Sequence, residues 1–254
     1  MKSETKKVAV ITGGTSGIGL AAARIFLEHG YRVALIGSTA DKGDRALTYL
    51  KAHDSLAIFI QDDIRSVDAC KRVIGRTIEH FGQIDVLVNS AGIYYEKSIE
   101  DMTEEDYMQI MDINIKGTYF MCQQAVAYLR KSAAGAIVNV SSDAGINGNF
   151  LCSAYCASKG AVTVFSKALA LELAPYHIRV NCVCPGDIDT PLTRAQLKNQ
   201  KDAAAQLQEM ASVYPIGRIG RAEEAAEVIY FLASNKASFV VGAAWSVDGG
   251  VTAY

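Results

Sequence analysis

Tyr155 and Lys159 stand four residues apart in the run YCASK. On a helix that spacing puts a phenol and an ammonium on one face. A phenol with an ordinary pKa of ~10 is a poor acid–base group at neutral pH, and a nearby cation favours its phenolate. So tuned, the pair can pass a proton to or from a carbonyl oxygen. Ser142, 13 residues ahead of Tyr155 in VNVSSDAG, can hydrogen-bond the same oxygen and fix its distance. Reducing a ketone also needs a hydride on carbon, which a cofactor must supply. Taken singly, these residues have plainer readings: an exposed tyrosine beside a solvated lysine, and a serine that ends a strand.

A cofactor site is suggested by VITGGTSGIG, residues 10–19, with four glycines directly behind the apolar run Val8–Ile11. A strand, a glycine turn and a helix together aim free backbone N–H groups and a helix dipole at a pyrophosphate. In that reading Gly13 allows the turn, Gly17 the close approach of backbone to ligand, and Gly19 the packing of helix on strand. A tight turn without ligand would use similar glycines, but this one is the first strand-to-helix junction of the chain, where a dinucleotide fold binds.

The elements that must position these groups follow from apolar runs at Val8–Ile11, Val33–Ile36, Ala57–Ile60, Val86–Val88, Ala136–Val140, Ile178–Val183 and Phe239–Val247. Strands apolar on both faces, alternating with helical segments, predict a parallel sheet covered on both sides. The expected fold class is α/β, a single doubly wound, Rossmann-like domain over residues 1–254, with helices on both faces. Ala22, Ile25 and Phe26 share one face of the helix after Gly17, and Ala161, Phe165, Ala168 and Leu169 follow helical spacing in the helix starting near Ser153. The polar stretch after Gly186, about 187–215, reads as a substrate lid.

The 254 residues are half hydrophobic, with net charge −2 and no basic run, so neither nucleic acid nor an anionic membrane is an expected partner. No signal-like or bilayer-length apolar segment is seen, and a cytoplasmic location is expected. The six cysteines are then reduced, and their spacing does not suit a metal site. The histidines, His29, His53, His80 and His177, stand apart from the motifs, leaving a serine-hydrolase reading without its base.

Thr12 to Gly19 spells T-G-x-x-x-G-x-G, which resembles the short-chain dehydrogenase/reductase family of the Tyr-x-x-x-Lys type. The likeness runs along the chain: Asn89-Ser-Ala-Gly92 is similar to the family's N-N-A-G, Asn114 in MDINIKG to its active-site asparagine, CPGDIDT (184–190) to its P-G-x-I-x-T, and SVDGG (246–250) to its ending. The resemblance implies a sheet of about seven strands, a homo-oligomer, frequently a tetramer, and an oxidoreductase that interconverts a ketone and a secondary alcohol. Tyr155 would be the acid/base, with Ser142 and Lys159 beside it, and Asn114 would hold a water linking Lys159 to solvent. Cofactor contacts would come from Gly13, Thr15, Ser16, Gly17, Ile18, Gly19, Ala91, Gly92, Asn89, Tyr155, Lys159, Pro185, Gly186, Ile188 and Thr190. Asp63 would meet the adenine amino group.

The second strand ends VALIGSTADKG, with no carboxylate at Gly37 or Ser38 to repel a 2′-phosphate, while Ser38 and Thr39 could bond one. NADP is therefore favoured, although the usual arginines are missing too and NAD is not excluded. Tyr94, Tyr95, Ile146, Phe150 and Ile188 suggest a largely apolar substrate pocket with Asp143 as a polar anchor. A small-molecule ketone or alcohol suits it. The alternatives are a 3-oxoacyl-thioester reductase, which would use Arg194, Lys198 and Lys201 to meet an acidic carrier protein, and a non-catalytic cofactor-sensing protein.

Overall fold

A computed structural model describes residues 6–51, 56–197 and 202–253. The strands are β1 (Val8–Thr12), β2 (Arg32–Gly37), β3 (Ala57–Gln61), β4 (Val86–Asn89), β5 (Ala136–Val140), β6 (Arg179–Pro185), β7 (Ile188–Asp189), β8 (Gly220–Arg221) and β9 (Ala244–Val247). The α-helices are α1 (Gly17–Glu28), α2 (Ala40–Leu50), α3 (Val67–Phe81), α4 (Glu104–Met111), α5 (Thr118–Leu129), α6 (Ser153–Leu173), α7 (Pro191–Leu197), α8 (Ala203–Ser212) and α9 (Ala222–Ala233).

Seven strands form one parallel sheet in the order β3-β2-β1-β4-β5-β6-β9. The order reverses between β1 and β4, and the carboxyl ends of strands beside such a reversal leave a crevice for ligands. Alternation along β1 divides its side chains between two cores. Val8 and Val10 face α3, α5 and α6 together with Val73, Met121 and Leu129, whereas Ala9 and Ile11 face α1 and α9 together with Phe26 and Ile229. Full burial of each larger side chain contributes about 1.5–3 kcal/mol, enough to hold both layers in register.

The seven apolar runs all appear as strands, but the last is shorter than expected. Pairing begins at Ala244, opposite Cys182; Gly242 has φ +73° and Phe239 is fully exposed, so the turn takes the first part of that run out of the sheet. Ala22, Ile25 and Phe26 are buried as a face of α1. In α6 the helical period holds, and Phe165 and Leu169 pack half-buried against the core. Ala168 is exposed, and the inward face carries Ser158, Lys159, Val162, Thr163, Ser166, Ala170 and Leu173.

Between α4 and α5 the helix passes through a π-helical turn, Asp112–Gly117. Such turns shift side-chain direction without ending a helix. Beyond β6, the short parallel pair β7 and β8, with Ile188 opposite Gly220, ties the start of the 187–215 stretch to the body of the protein. Lys198 and Lys201 fall outside the described residues, as does His53.

Candidate active site

The glycine turn meets the chain itself before it meets any ligand. A Cβ on Gly13, whose φ is +64°, would lie 2.8 Å from the Ala91 backbone, and one on Gly19 would lie 2.4 Å from the Gly13 carbonyl oxygen. The turn is thereby pressed against the loop after β4. Thr12 Oγ1 fastens the same pair of loops, accepting from the Ser90 and Ala91 N–H groups at 3.2 Å each. On the open side, Gly17 lies under Thr190, whose Cβ would be 3.2 Å from a Gly17 Cβ.

A cleft of about 620 Å³ runs from this turn along the carboxyl ends of β1, β4, β5 and β6. Gly13, Ser16, Gly17 and Ile18 line one end, Ala91 and Gly92 the floor, and Pro185, Gly186, Ile188 and Thr190 the opposite wall. Ser142, Tyr155 and Lys159 line the other end, with Tyr94, Asp143 and Phe150 beside them. Residues far apart in the sequence converge there.

Lys159 is buried, with Nζ donating to the Val140 carbonyl at 2.9 Å and lying 5.8 Å from the centre of the Tyr155 ring. Burial pulls its ammonium down to about 8. Around it, Ser141 Oγ donates to the Lys159 carbonyl at 2.8 Å and lies 2.8 Å from Thr163 Oγ1. Burial also pushes the Tyr155 phenol above its ordinary value, with the Ser142 hydroxyl opposing. In this cofactor-free structure the desolvation of the phenolate is the largest influence on Tyr155. The Ser142 hydroxyl donates to Asp143 Oδ1 at 2.7 Å and accepts from the Ala144 N–H. Tyr94 packs edge-on against Tyr155, ring centres 4.9 Å apart, and its hydroxyl lies 3.0 Å from Cys152 Sγ.

Asn114 sits in the π turn with its carboxamide fully engaged. Oδ1 accepts from the Ile93 N–H at 2.9 Å, and Nδ2 donates to the Ile93 carbonyl and to Ser158 Oγ, each at 3.0 Å. Its side chain therefore clamps the loop after β4 onto α6, a positioning task. A Cβ on Gly92 would sit 3.3 Å from Asn114 Oδ1 and 3.4 Å from Lys159 Nζ, so the loop passes between the two.

Other expectations need correction. Asn89 is buried and does not line the cleft; its Nδ2 donates to Asn139 Oδ1 at 2.9 Å inside the sheet layer, while its Oδ1 has no partner among the described residues. Asp63 is held by Arg65 and its carboxyl lies below the usual range for that reason; Asp62 is likewise gripped by Arg72. Neither lines the cleft. Thr15 packs on Gly37, while Ser38 and Thr39 are exposed at the start of α2, away from the cleft. Tyr95 turns aside to bond Gln109, and Ile146 is solvent-exposed. The cleft wall mixes apolar and polar side chains: Tyr94, Phe150, Ile188, Leu192, Met210 and Val213 stand beside Glu96, Asn149, Asp187, Gln196 and Gln206. Asp187 falls within CPGDIDT and Gln196 and Gln206 within the stretch read as a lid, whereas Glu96 lies outside every stretch the sequence singled out. Ser141 and Ser158 were also missed, although each adjoins a residue singled out in VNVSSDAG or YCASK.

The short chain dehydrogenase family matches residues 7–201. The chain belongs to that family. Among its relatives, an NADP-dependent (R)-specific alcohol dehydrogenase of Lentilactobacillus kefiri is 38% identical over 97% of both chains. A 3-oxoacyl-acyl-carrier-protein reductase of Chlamydia muridarum is 36% identical over 96% of this chain and 97% of its own. Among solved structures, the ligand-free aldohexose dehydrogenase of Thermoplasma acidophilum superposes with a TM-score of 0.89 at 33% identity, covering 98% of this chain and 95% of that one. This short-chain dehydrogenase is therefore an oxidoreductase, and its sheet is the Rossmann-like one of its family.

Proposed function

We propose that this protein interconverts a ketone and a secondary alcohol with NADP, Tyr155 acting as acid and base. The observation that carries the reading is the convergence of Ser142, Tyr155 and Lys159 at one end of a cleft whose other end is the glycine turn. The cradle fits a dinucleotide: Ser16, Gly17 and Ile18 bring the start of α1 to it, Gly92 leaves room beside Lys159, and Pro185 to Thr190 form the facing wall. A nicotinamide bound there would donate or accept the hydride. Its oxidised ring would add the positive charge that Lys159 alone does not provide, bringing Tyr155 down towards a usable range. Ser142 would turn its hydroxyl from Asp143 to the substrate oxygen.

NADP is favoured over NAD because β2 ends at Gly37, followed by Ser38, with no carboxylate to repel a 2′-phosphate, and the exposed Thr39 hydroxyl caps no backbone group. The 187–215 stretch would be the lid of a single catalytic domain. The 3-oxoacyl-carrier reading is less well supported: Arg194, part of the expected basic patch, is paired with Asp189 at 2.6 Å. No helix among the described residues is long and apolar enough to cross a membrane. A cytoplasmic setting, in which the free cysteines stay reduced, belongs to the proposal.

Fluorescence titration with NADPH and NADH, on the wild type and on Tyr155→Phe, tests it. Tighter NADPH binding is expected, with affinity kept in the variant and hydride transfer lost by about 10²–10⁴-fold. Tighter NADH binding would overturn the cofactor assignment, and an active variant would overturn the role of Tyr155.

A further inference from the structure

Ser142 meets the cleft with its one proton already committed. Its hydroxyl donates to Asp143 Oδ1 at 2.7 Å, and the Ala144 N–H donates to the same Ser142 oxygen at 3.2 Å. A hydroxyl has one hydrogen and two lone pairs, and a carboxylate only accepts. With the proton held by Asp143 and one lone pair by Ala144, Ser142 has a single lone pair left for the cleft that it lines.

The backbone builds this arrangement. Asp143 opens the short 3₁₀ turn Asp143–Gly145, and the Ile146 and Asn147 N–H groups both donate to its carbonyl at 2.8 Å. A Cβ on Gly145 would lie 2.8 Å from the Lys159 carbonyl oxygen, so the turn is pressed against α6. Asn149 Nδ2, 3.4 Å from Asp143 Oδ2, holds the half-buried carboxylate from its other side.

An alcohol and a ketone differ at the oxygen that this group meets. Burial favours the neutral Tyr155 phenol, and an alcohol oxygen can accept from it while the alcohol hydroxyl donates to the Ser142 lone pair. Nothing has to move. A ketone oxygen only accepts, so Ser142 serves it only by turning its proton away from Asp143, which breaks a hydrogen bond to a charged group. The turn of Ser142 is thus demanded by the ketone and not by the alcohol.

Building on the activity proposed above, we infer that Asp143 is a positioning residue: it sets Ser142 as a hydrogen-bond acceptor, and the cleft therefore holds the alcohol in preference to the ketone. Both directions of the reaction share one transition state, so the preference is read from binding and not from kcat/KM.

The test uses two unreactive ring compounds of similar size, for which Phe150, Leu192, Met210 and Val213 give apolar surface in the cleft wall. The tertiary hydroxyl of 1-methylcyclohexanol donates and accepts but its carbon has no hydride to give, and the carbonyl of 1-formylpiperidine only accepts. Their dissociation constants are measured on the full chain with NADPH, from the change in its fluorescence, for the wild type, Asp143→Ala, Asp143→Asn, Ser142→Ala and the double variant Ser142→Ala with Asp143→Ala. The affinity of each for NADPH shows that the fold is kept. Asp143→Ala should strengthen the formamide relative to the alcohol by at least about tenfold, the scale of one hydrogen bond to a charged group. Asp143→Asn should move the ratio the same way by less, and in the Ser142→Ala background the removal of Asp143 should leave it unchanged. A ratio unmoved in both Asp143 variants, or moved equally without Ser142, overturns the inference, as does a wild type that binds neither compound. Hydride exchange with cyclohexanone, 2-butanone, acetophenone and their alcohols is measured alongside. If exchange is seen and the ratio does not respond, the inference falls alone; if none is seen with either cofactor, the proposed oxidoreduction falls whatever the two probes do.

Discussion

Replacing Lys159 with methionine removes a charge from the cofactor-free fold while keeping side-chain length, and the structure fixes how its effect must vary with pH. The drop of the ammonium from 10.5 to about 8 corresponds to about 3 kcal/mol spent on holding it charged in the interior. Methionine avoids that cost but leaves the Val140 carbonyl, now bonded at 2.9 Å, without its donor, a loss of about 1–3 kcal/mol. At pH 7 the variant is therefore expected to match the wild type or exceed it by about 2 kcal/mol at most, from the balance of desolvation and the lost bond. Because the folded value lies below the unfolded one, the penalty is complete below about pH 8. Between about 8 and 10.5 the unfolded chain binds a proton that the folded chain does not, so wild-type stability rises with pH relative to the variant. By the upper end of that window the wild type should be the more stable by about 1–3 kcal/mol, the value of the bond to Val140 alone. Urea denaturation of both proteins at pH 7, 8, 9 and 10, each without cofactor, measures the difference directly. A difference that stays flat over that range would refute the depressed lysine and the desolvation argument behind it.

Gly13→Ala should cost about 2–4 kcal/mol, because it adds left-handed strain to a Cβ 2.8 Å from the Ala91 backbone; a variant that melts with the wild type would show that the two loops are not pressed together. The apolar side chains left exposed on the α4, α5 and α6 faces, Tyr107, Met108, Tyr119, Val164 and Leu171, are expected to be covered in a homotetramer. Light scattering should then give four times the 27.3 kDa chain mass and a smaller species for Val164→Asp with Leu171→Asp; a wild type that runs as a monomer would remove the proposal.

Much of the architecture was legible because a parallel sheet buried on both sides leaves a simple trace, short strands apolar at successive positions such as Val33–Ile36 and Ala136–Val140. The motif residues were legible for a similar reason. Tyr155 and Lys159 are neighbours on one helix, and the Thr12–Gly19 turn lies within a single strand-to-helix junction, so spacing alone relates them. What Gly13 serves was harder to see, since its close neighbour is Ala91, 78 residues away.

The sequence by itself determined the strand and helix order, the glycine turn and the local pairing of phenol with ammonium, all of which depend on contacts within a few turns of chain. Only the tertiary structure decided which face of α6 points inward. Of Ala161, Phe165, Ala168 and Leu169, Phe165 and Leu169 pack half-buried against the core, but the fully buried face adds Ser158, Lys159, Thr163 and Ser166 to Val162, Ala170 and Leu173, and these polar groups can be buried because Asn114, Ser141 and Asn139 arrive from other elements to bond them. The same physics set Asn89 against Asn139 inside the sheet layer and brought Glu96, Asn149 and Gln206 to one cleft from distant parts of the chain. Burial of a polar group depends on partners far away in the chain, and no local pattern records who those partners are.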